Sequence, residues 1–261
     1  MAVTTALVCV TVMSLSCVIA AITRRRAIAD GALDMPNHRS SHTIPTPRGG
    51  GLSIVVTSLA SVMLLMVSHR IPMRTGLALM LGGGAVALVG WLDDRHHLSV
   101  RLRFAVHLAS AVWALAMLGG LPSMRIGSVT LGSPVILSCL AIIGIMWSTN
   151  LFNFMDGIDG IAGIQAACVG LGGGILLILG GDIGLAYCMF ALGAASVGFL
   201  ILNWHPAKIF MGDVGSGFIG FYIATVAVAA ENMSAVPLLL WVMMMAVFVV
   251  DATATLVSRT I

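Results

Sequence analysis

Only ten carboxylates occur in this chain of 261 residues, and five of them fall in three short clusters whose spacing can do chemistry. The first cluster is Asp93-Asp94, directly after Gly90-Trp91-Leu92. Adjacent carboxylates repel each other unless a cation or a proton sits between them. Mg²⁺ takes oxygen ligands, typically one or two carboxylates together with phosphate oxygens. A solvated helix end ahead of Arg95-His96-His97 is the plainer explanation of that pair taken alone.

The second cluster runs from Asn150 through Asn153 and Asp156 to Asp159, with Gly157 and Gly160 beside the acids. Polar residues at every third position form one drifting stripe if the segment is helical. Four polar groups facing lipid are expensive, so the stripe must face water or a cavity. A helix cap is the alternative, but a cap needs one such residue rather than four. The third cluster is Lys208 followed by Gly212-Asp213-Val214-Gly215-Ser216-Gly217. A Gly-rich turn that opens a helix offers free N–H groups and a positive dipole end to an anion. Asp213 suits a metal there and Lys208 a phosphate. The pattern is not a Walker loop, because GxxxxGK[ST] is absent. A fourth segment, from Asp34 to Gly51, carries Arg39, His42 and Arg48 among three prolines, which argues for an irregular loop. Its arginines can gather phosphate or simply fix topology.

The elements that must position these residues are membrane helices. The chain is 59% hydrophobic and 9% charged, with a mean hydropathy of +1.06. Soluble domains carry about 25% charged residues, so lipid must be the solvent here. The net charge of +3, without a basic tract, excludes a nucleic-acid partner. Apolar runs at about 2–22, 49–68, 76–92, 103–119, 135–154, 160–180, 183–202, 215–230 and 236–257 predict nine spans. The first has its basic residues after the run, as Arg24-Arg25-Arg26, which favours a retained helix over a cleaved leader. The stretch 120–134, with Pro122, Gly127 and Gly132, predicts a small external hairpin. With the N-terminus outside and the C-terminus inside, ten Lys and Arg lie inside against three outside, and the positive-inside rule selects that orientation. Eight of the ten acids then lie at or near the inside face, only Asp182 and Glu231 falling outside. A cytoplasmic site for a metal and a charged substrate explains that concentration. The cysteines, His69, His96, His97, His107 and the many methionines are read as packing or surface residues.

These motifs, in this order, resemble the polyprenyl-phosphate N-acetylhexosamine-1-phosphate transferase superfamily. It includes enzymes that start O-antigen and teichoic acid linkage synthesis and the phospho-MurNAc-pentapeptide translocase. The matching pieces are D-x-P-N-x-R-x-x-H-x-x-P-x-P-R-G-G at 34–50, the Asp93-Asp94 pair, N-x-x-N-x-x-D-G-x-D-G at 150–160 and F-M-G-D-V-G-S at 210–216. The first loop is most similar to the O-antigen-initiating bacterial branch. The resemblance implies an all-α polytopic protein of the bacterial inner membrane, with its active site on the cytoplasmic side. It implies transfer of a sugar 1-phosphate from a UDP-N-acetylhexosamine to undecaprenyl phosphate, with UMP released and Mg²⁺ (or Mn²⁺) as cofactor. A homodimer is among the partners considered. By motif position Asp213 is the first metal ligand, with Asp94 and Asp156 as further ligands. Asp93 and Asp94 are the catalytic candidates. Asn150, Asn153, Asp156, Asp159, Lys208, Asp34, Arg39, His42 and Arg48 are the candidates for substrate contact.

Members of the superfamily continue after the ninth span into a His-rich cytoplasmic loop and at least one further span. The expectation for residues 1–261 is therefore a single integral-membrane transferase domain, truncated at its C-terminus. Two other classes compete with the enzyme. A secondary transporter suits Gly-broken helices, but its coupling residues belong near the bilayer midplane. A CDP-alcohol phosphotransferase needs D-G-x-x-A-R and further spaced acids after Asp156-Gly157, and these are missing. An inactive remnant is the remaining alternative.

Overall fold

The computed structural model describes residues 2–36, 44–121, 124–126 and 129–260. Helix α1 is Ala2–Ala29 and α2 is Leu52–Val67. Helix α3, Met73–His96, contains a π-helical stretch at Ala78–Gly82. Helices α4, α5 and α6 are Val100–Leu118, Pro134–Met155 and Ile161–Leu179. Helices α7 and α8 are Ile183–Asn203 and Asp213–Asn232. Helices α9 and α10 are Leu238–Met244 and Ala246–Thr260. Strands β1 (Leu33–Asp34) and β2 (Thr46–Pro47) pair antiparallel, as do β3 (Met124–Ile126) and β4 (Val129–Leu131). The second pair is the hairpin expected between 120 and 134.

Seven of these helices are long and apolar enough to cross a membrane, and α9 with α10 makes an eighth candidate bent by 64°. The expected second span, 49–68, is the apolar helix α2, with only 16 residues. At about 1.5 Å per residue it reaches roughly 24 Å, short of a hydrocarbon core of about 30 Å. The first residues of that run are spent elsewhere. Gly50 and Gly51 donate their backbone N–H groups to Phe210 and Met211 carbonyls, both at 2.9 Å.

The helices differ sharply in how far they are enclosed. Over an 18-residue apolar stretch of each helix, α8 is 89% buried, α7 72% and α1 only 11%. Helix α8 is thus the axis of the bundle, and α1 offers most of its surface to lipid. Phe199 on α7 and Phe218 and Tyr222 on α8 are fully buried in the main apolar cluster. Hydroxyls tie neighbouring helices inside it. Ser16 donates to the Ala195 carbonyl at 2.7 Å and Ser148 to the Gly220 carbonyl at 2.8 Å. Such bonds between membrane helices contribute about 1 kcal/mol or less each, so close packing does most of the work.

Candidate active site

Glycine lets three separate segments meet at one end of the bundle. A Cβ on Gly51 would strike the Gly215 backbone, and one on Gly90 would lie 2.5 Å from the Asp213 carbonyl carbon. The turn before α8 is pinned from the other side as well, by Phe210 donating to the Pro47 carbonyl at 2.8 Å. The end of α3, the start of α2 and the start of α8 are therefore in backbone contact.

Asp94 uses that proximity. Its Oδ1 accepts the Asp213 N–H at 3.0 Å and its Oδ2 the Val214 N–H at 3.3 Å. A carboxylate satisfying the orphan donors of a helix N-terminus is favoured by hydrogen bonding and by the helix dipole. Here the capping residue comes from another helix. Gly212, at φ +76°, has the left-handed backbone that glycine favours, and a Cβ on it would sit 2.6 Å from Asp94 Oδ2. The Gly-rich turn expected to receive an external anion thus receives Asp94.

Asp93 is buried and differently held. It accepts the Leu98 N–H at 2.6 Å and a guanidinium N–H of Arg103 at 2.6 Å. The same Arg103 nitrogen lies 3.5 Å from Asp213 Oδ2. Arg48 bridges the opposite flank, 3.1 Å from Asp34 and 3.9 Å from Asp94. Asn153 donates to the Ser216 hydroxyl at 3.2 Å, which brings α5 to the first turn of α8. Asp156 lies just past the end of α5. Burial, and then the negative charges of Asp213 and Asp94, hold its carboxyl well above the usual carboxylate range.

Asp93, Asp94, Asp156, Asp213, Asn153, Arg48 and Asp34 therefore gather as the sequence suggested. Others do not. The expected stripe is helical only as far as Met155, so Asp159 leaves its face. Its carboxylate accepts the Ala207 N–H at 3.0 Å and meets His205 Nδ1 at 2.9 Å, tying the α5–α6 turn to the α7–α8 connection. Lys208 is exposed in that connection, its carbonyl accepting from Arg24 at 3.0 Å. Asn150 donates to Met146 within its own helix at 2.8 Å. Arg39 and His42 lie outside the described residues. Arg103 was counted only toward topology, and its place one turn into α4 gave no local signal of two acid partners. Asn203, buried, accepts the Gly160 N–H at 3.0 Å and donates to the Ile209 carbonyl at 2.9 Å, and it too was passed over.

Two cavities flank the acids. The larger, of about 670 Å³, is lined by Arg26, Asp34, Arg48, Trp91, Asp94 and the His96-His97 pair. The smaller, of about 160 Å³, is lined by Arg103, His107, Asn150, Asn153 and Asp213. His96, His97 and His107, read from the sequence as surface or packing residues, thus line the cavities. Among the described residues no three His, Cys, Asp or Glu side chains stand close enough to form a ready-made metal cage. Mg²⁺ needs less than that, since it keeps waters and takes phosphate oxygens beside one or two carboxylates. Asp213, Asp156 and Asn153 offer only hard oxygen ligands, which suit Mg²⁺ or Mn²⁺. The crowding that raises Asp156 is what a cation would relieve. The residues fit the ion.

A sequence model of glycosyl transferase family 4 matches residues 76–231. The chain is 29% identical, over 252 residues, to a probable undecaprenyl-phosphate N-acetylglucosaminyl 1-phosphate transferase of Bacillus subtilis, covering 93% of this chain and 68% of the relative. It is 32% identical over 227 residues to the undecaprenyl-phosphate alpha-N-acetylglucosaminyl 1-phosphate transferase of Yersinia pestis, covering 83% of this chain and 60% of the relative. A decaprenyl-phosphate N-acetylglucosaminephosphotransferase of Mycolicibacterium smegmatis is 31% identical over 230 residues, covering 79% of this chain and 55% of the relative. The chain thus spans little more than half of the last two relatives. The family match covers the segment that carries Asp93, Asp94, Asn153, Asp156 and Asp213, so this is a polytopic membrane protein belonging to glycosyl transferase family 4, within the polyprenyl-phosphate N-acetylhexosamine-1-phosphate transferase superfamily.

Proposed function

We propose that the chain transfers an N-acetylhexosamine 1-phosphate from a UDP-sugar to undecaprenyl phosphate, at the cytoplasmic face of the bacterial inner membrane. A phosphate oxygen of the lipid attacks the sugar-bearing phosphorus of the donor. The bond from that phosphorus to the bridging oxygen breaks, and UMP leaves. The product begins O-antigen or another envelope polysaccharide. The observation that carries this reading is the convergence of Asp93, Asp94 and Asp213 with Arg103 and Arg48 at helix ends, on one face of the bundle. A transporter's coupling groups belong at the midplane, whereas these stand at helix ends, which favours the transferase.

Both reactants are anions, so the work is positioning and charge neutralisation. Asp213 and Asp156 would hold Mg²⁺, with Mn²⁺ as substitute, and the ion would neutralise charge on the donor's diphosphate. Asp94 holds the start of α8 in place, and Asp93 holds Arg103 where it can meet an incoming phosphate. A phosphate monoester has a second pKa of about 6, so the lipid phosphate is largely ionised near neutrality. Asp93 then serves to orient more than to deprotonate.

The test is transfer of radiolabelled sugar phosphate from a panel of UDP-N-acetylhexosamines to undecaprenyl phosphate, with and without Mg²⁺. Labelled lipid and UMP in equal amounts, lost without metal and in Asp213→Asn, are expected. Unchanged transfer by Asp213→Asn would remove the metal assignment. Absence of labelled lipid from every donor, in a folded and inserted protein, would overturn the reaction.

A further inference from the structure

The span formed by α9 and α10 bends by 64° at Met245, and its sequence offers no local cause. Residues 238–249 contain neither proline nor glycine, and the break falls among Met243, Met244, Met245 and Ala246, all good helix formers. At other sharp kinks a side chain enters the backbone ladder, and here one does. Gln165, in the second turn of α6, donates its amide N–H to the Met244 carbonyl at 2.8 Å.

That carbonyl needs a donor. The last four carbonyls of a helix have no partner within it, and α9 ends at Met244. A break within a membrane span persists only where neighbouring helices satisfy the backbone groups it frees. The Gln165 amide is equally costly in an apolar helix unless it finds an acceptor. One bond therefore serves both groups, and it belongs to the bent form. In a straight helix the Phe248 N–H would claim the same carbonyl.

The bend decides where α10 goes. It brings α10 to α5, where the Phe248 ring packs against Phe152 with centroids 5.1 Å apart. Phe152 precedes Asn153, whose amide reaches Ser216 in the first turn of α8. Further along, Ala252 and Thr255 share a cleft of about 200 Å³ with Trp147, Asn150 and Phe154, and Asn150 also lines the smaller cavity beside the acids. Helix α10 thus backs the end of α5 that carries Asn150 and Asn153 and leads into Asp156. We infer that Gln165 is a positioning residue: by holding the break at Met244 it directs α10 onto α5 and steadies that end of α5 against α8. Its bearing on catalysis rests on the proposed transfer reaction, whereas the direction of α10 does not.

The test is the distance between two spin labels, measured by electron double resonance on the purified full chain in nanodiscs. The labels are attached through p-acetylphenylalanine in place of the exposed Ile175 on α6 and Ala254 on α10. The comparison is among native protein, Gln165→Met and Phe248→Leu, with transfer measured on each. Methionine keeps the volume of the side chain and cannot donate. A stranded buried carbonyl disfavours its conformation by on the order of ten- to a hundredfold. Ala254 lies nine residues past Met245, so full straightening from 64° carries it through about 14 Å at about 1.5 Å per residue. Gln165→Met should therefore show a second, displaced distance population, and its kcat should fall at least about tenfold. Phe248→Leu keeps the Gln165 bond and should keep the native distance. The native distance in a folded Gln165→Met, or a displacement in Phe248→Leu alone, would overturn the inference. A displaced α10 with native kcat would overturn the positioning role. Absence of transfer from all three proteins would strike the proposed reaction, and the distances alone would then confirm or overturn the hold of Gln165 on α10.

Discussion

Gly90→Ala tests whether backbone contact between α3 and α8 sets the acid row. A Cβ there would meet the Asp213 carbonyl oxygen, lying 2.5 Å from its carbon and 2.7 Å from Val214 N. Ordinary contact begins at about 3.4 Å, so the two helix ends must part by about 0.9 Å. The obstacle is backbone on both sides, and no flexible side chain can yield. The bonds from Asp213 N and Val214 N to Asp94, now 3.0 and 3.3 Å, would stretch past useful length.

Displacement of a reacting group by about 1 Å can cost on the order of a hundredfold in rate. Overpacking of this size costs about 1–3 kcal/mol in stability. The expected outcome is therefore an inserted, folded protein whose kcat for sugar-phosphate transfer falls about a hundredfold, with a modest loss in Tm. Gly84→Ala is the control on the same helix, since a Cβ there meets nothing within 4 Å. It should be neutral in both assays. Transfer by Gly90→Ala within a factor of two of native would refute the claim that this contact fixes Asp213.

Other perturbations separate the roles within the row. Asp94→Asn leaves a single acceptor oxygen for two backbone donors and removes the charge at the helix start, so thermal unfolding should show a loss of about 1–3 kcal/mol; an unchanged Tm would mean that Asp94 does not cap α8. Asp156 has a raised pKa in the folded chain, so the folded state binds more protons than the unfolded one above about pH 4. The sign follows: without divalent cation, stability falls as pH rises from about 4 toward that raised value and levels off above it. Asp156→Asn should flatten that slope in Tm measured with EDTA, and parallel curves would count against the crowding described here. Asn203→Leu should cost about 2–5 kcal/mol, because it strands the Gly160 N–H and the Ile209 carbonyl. The exposed His205→Ala should cost under about 1 kcal/mol, and equal losses in the two variants would contradict their difference in burial.

The acid clusters could be read from the chain because lipid makes polar residues conspicuous and their spacing is local. What could not be read was the partner of each acid. Asp94 and the α8 start are 119 residues apart, and nothing in Gly212-Asp213-Val214 says that its anion is internal. Arg103 was hidden for a related reason. Positive charge near a helix end already has an explanation in topology, so a second use leaves no excess to notice. The run 49–68 looked like a full span because composition does not mark the glycines that are drawn into pairing with 210–211. The break at Asp156 was likewise invisible, since a polar stripe of period three continues through a turn as easily as through a helix.

The acids that appear alike in sequence are unlike in their surroundings, and this divides the labour among them. Asp94 is satisfied by two backbone N–H groups and Asp93 by a backbone N–H and a guanidinium. Each is therefore held in place by the protein's own donors. Asp213 has the longer reach to Arg103 and a side-chain interaction with Asn153, and Asp156 sits against its charge. Neighbouring negative charges beside the smaller cavity, which Asp213 lines, are where an added cation gains most. On the proposed reaction Asp93 and Asp94 build the geometry, and Asp213 and Asp156 take up the metal. Removing either pair should then silence the enzyme in distinguishable ways, by loosening the fold in one case and by abolishing the response to Mg²⁺ in the other.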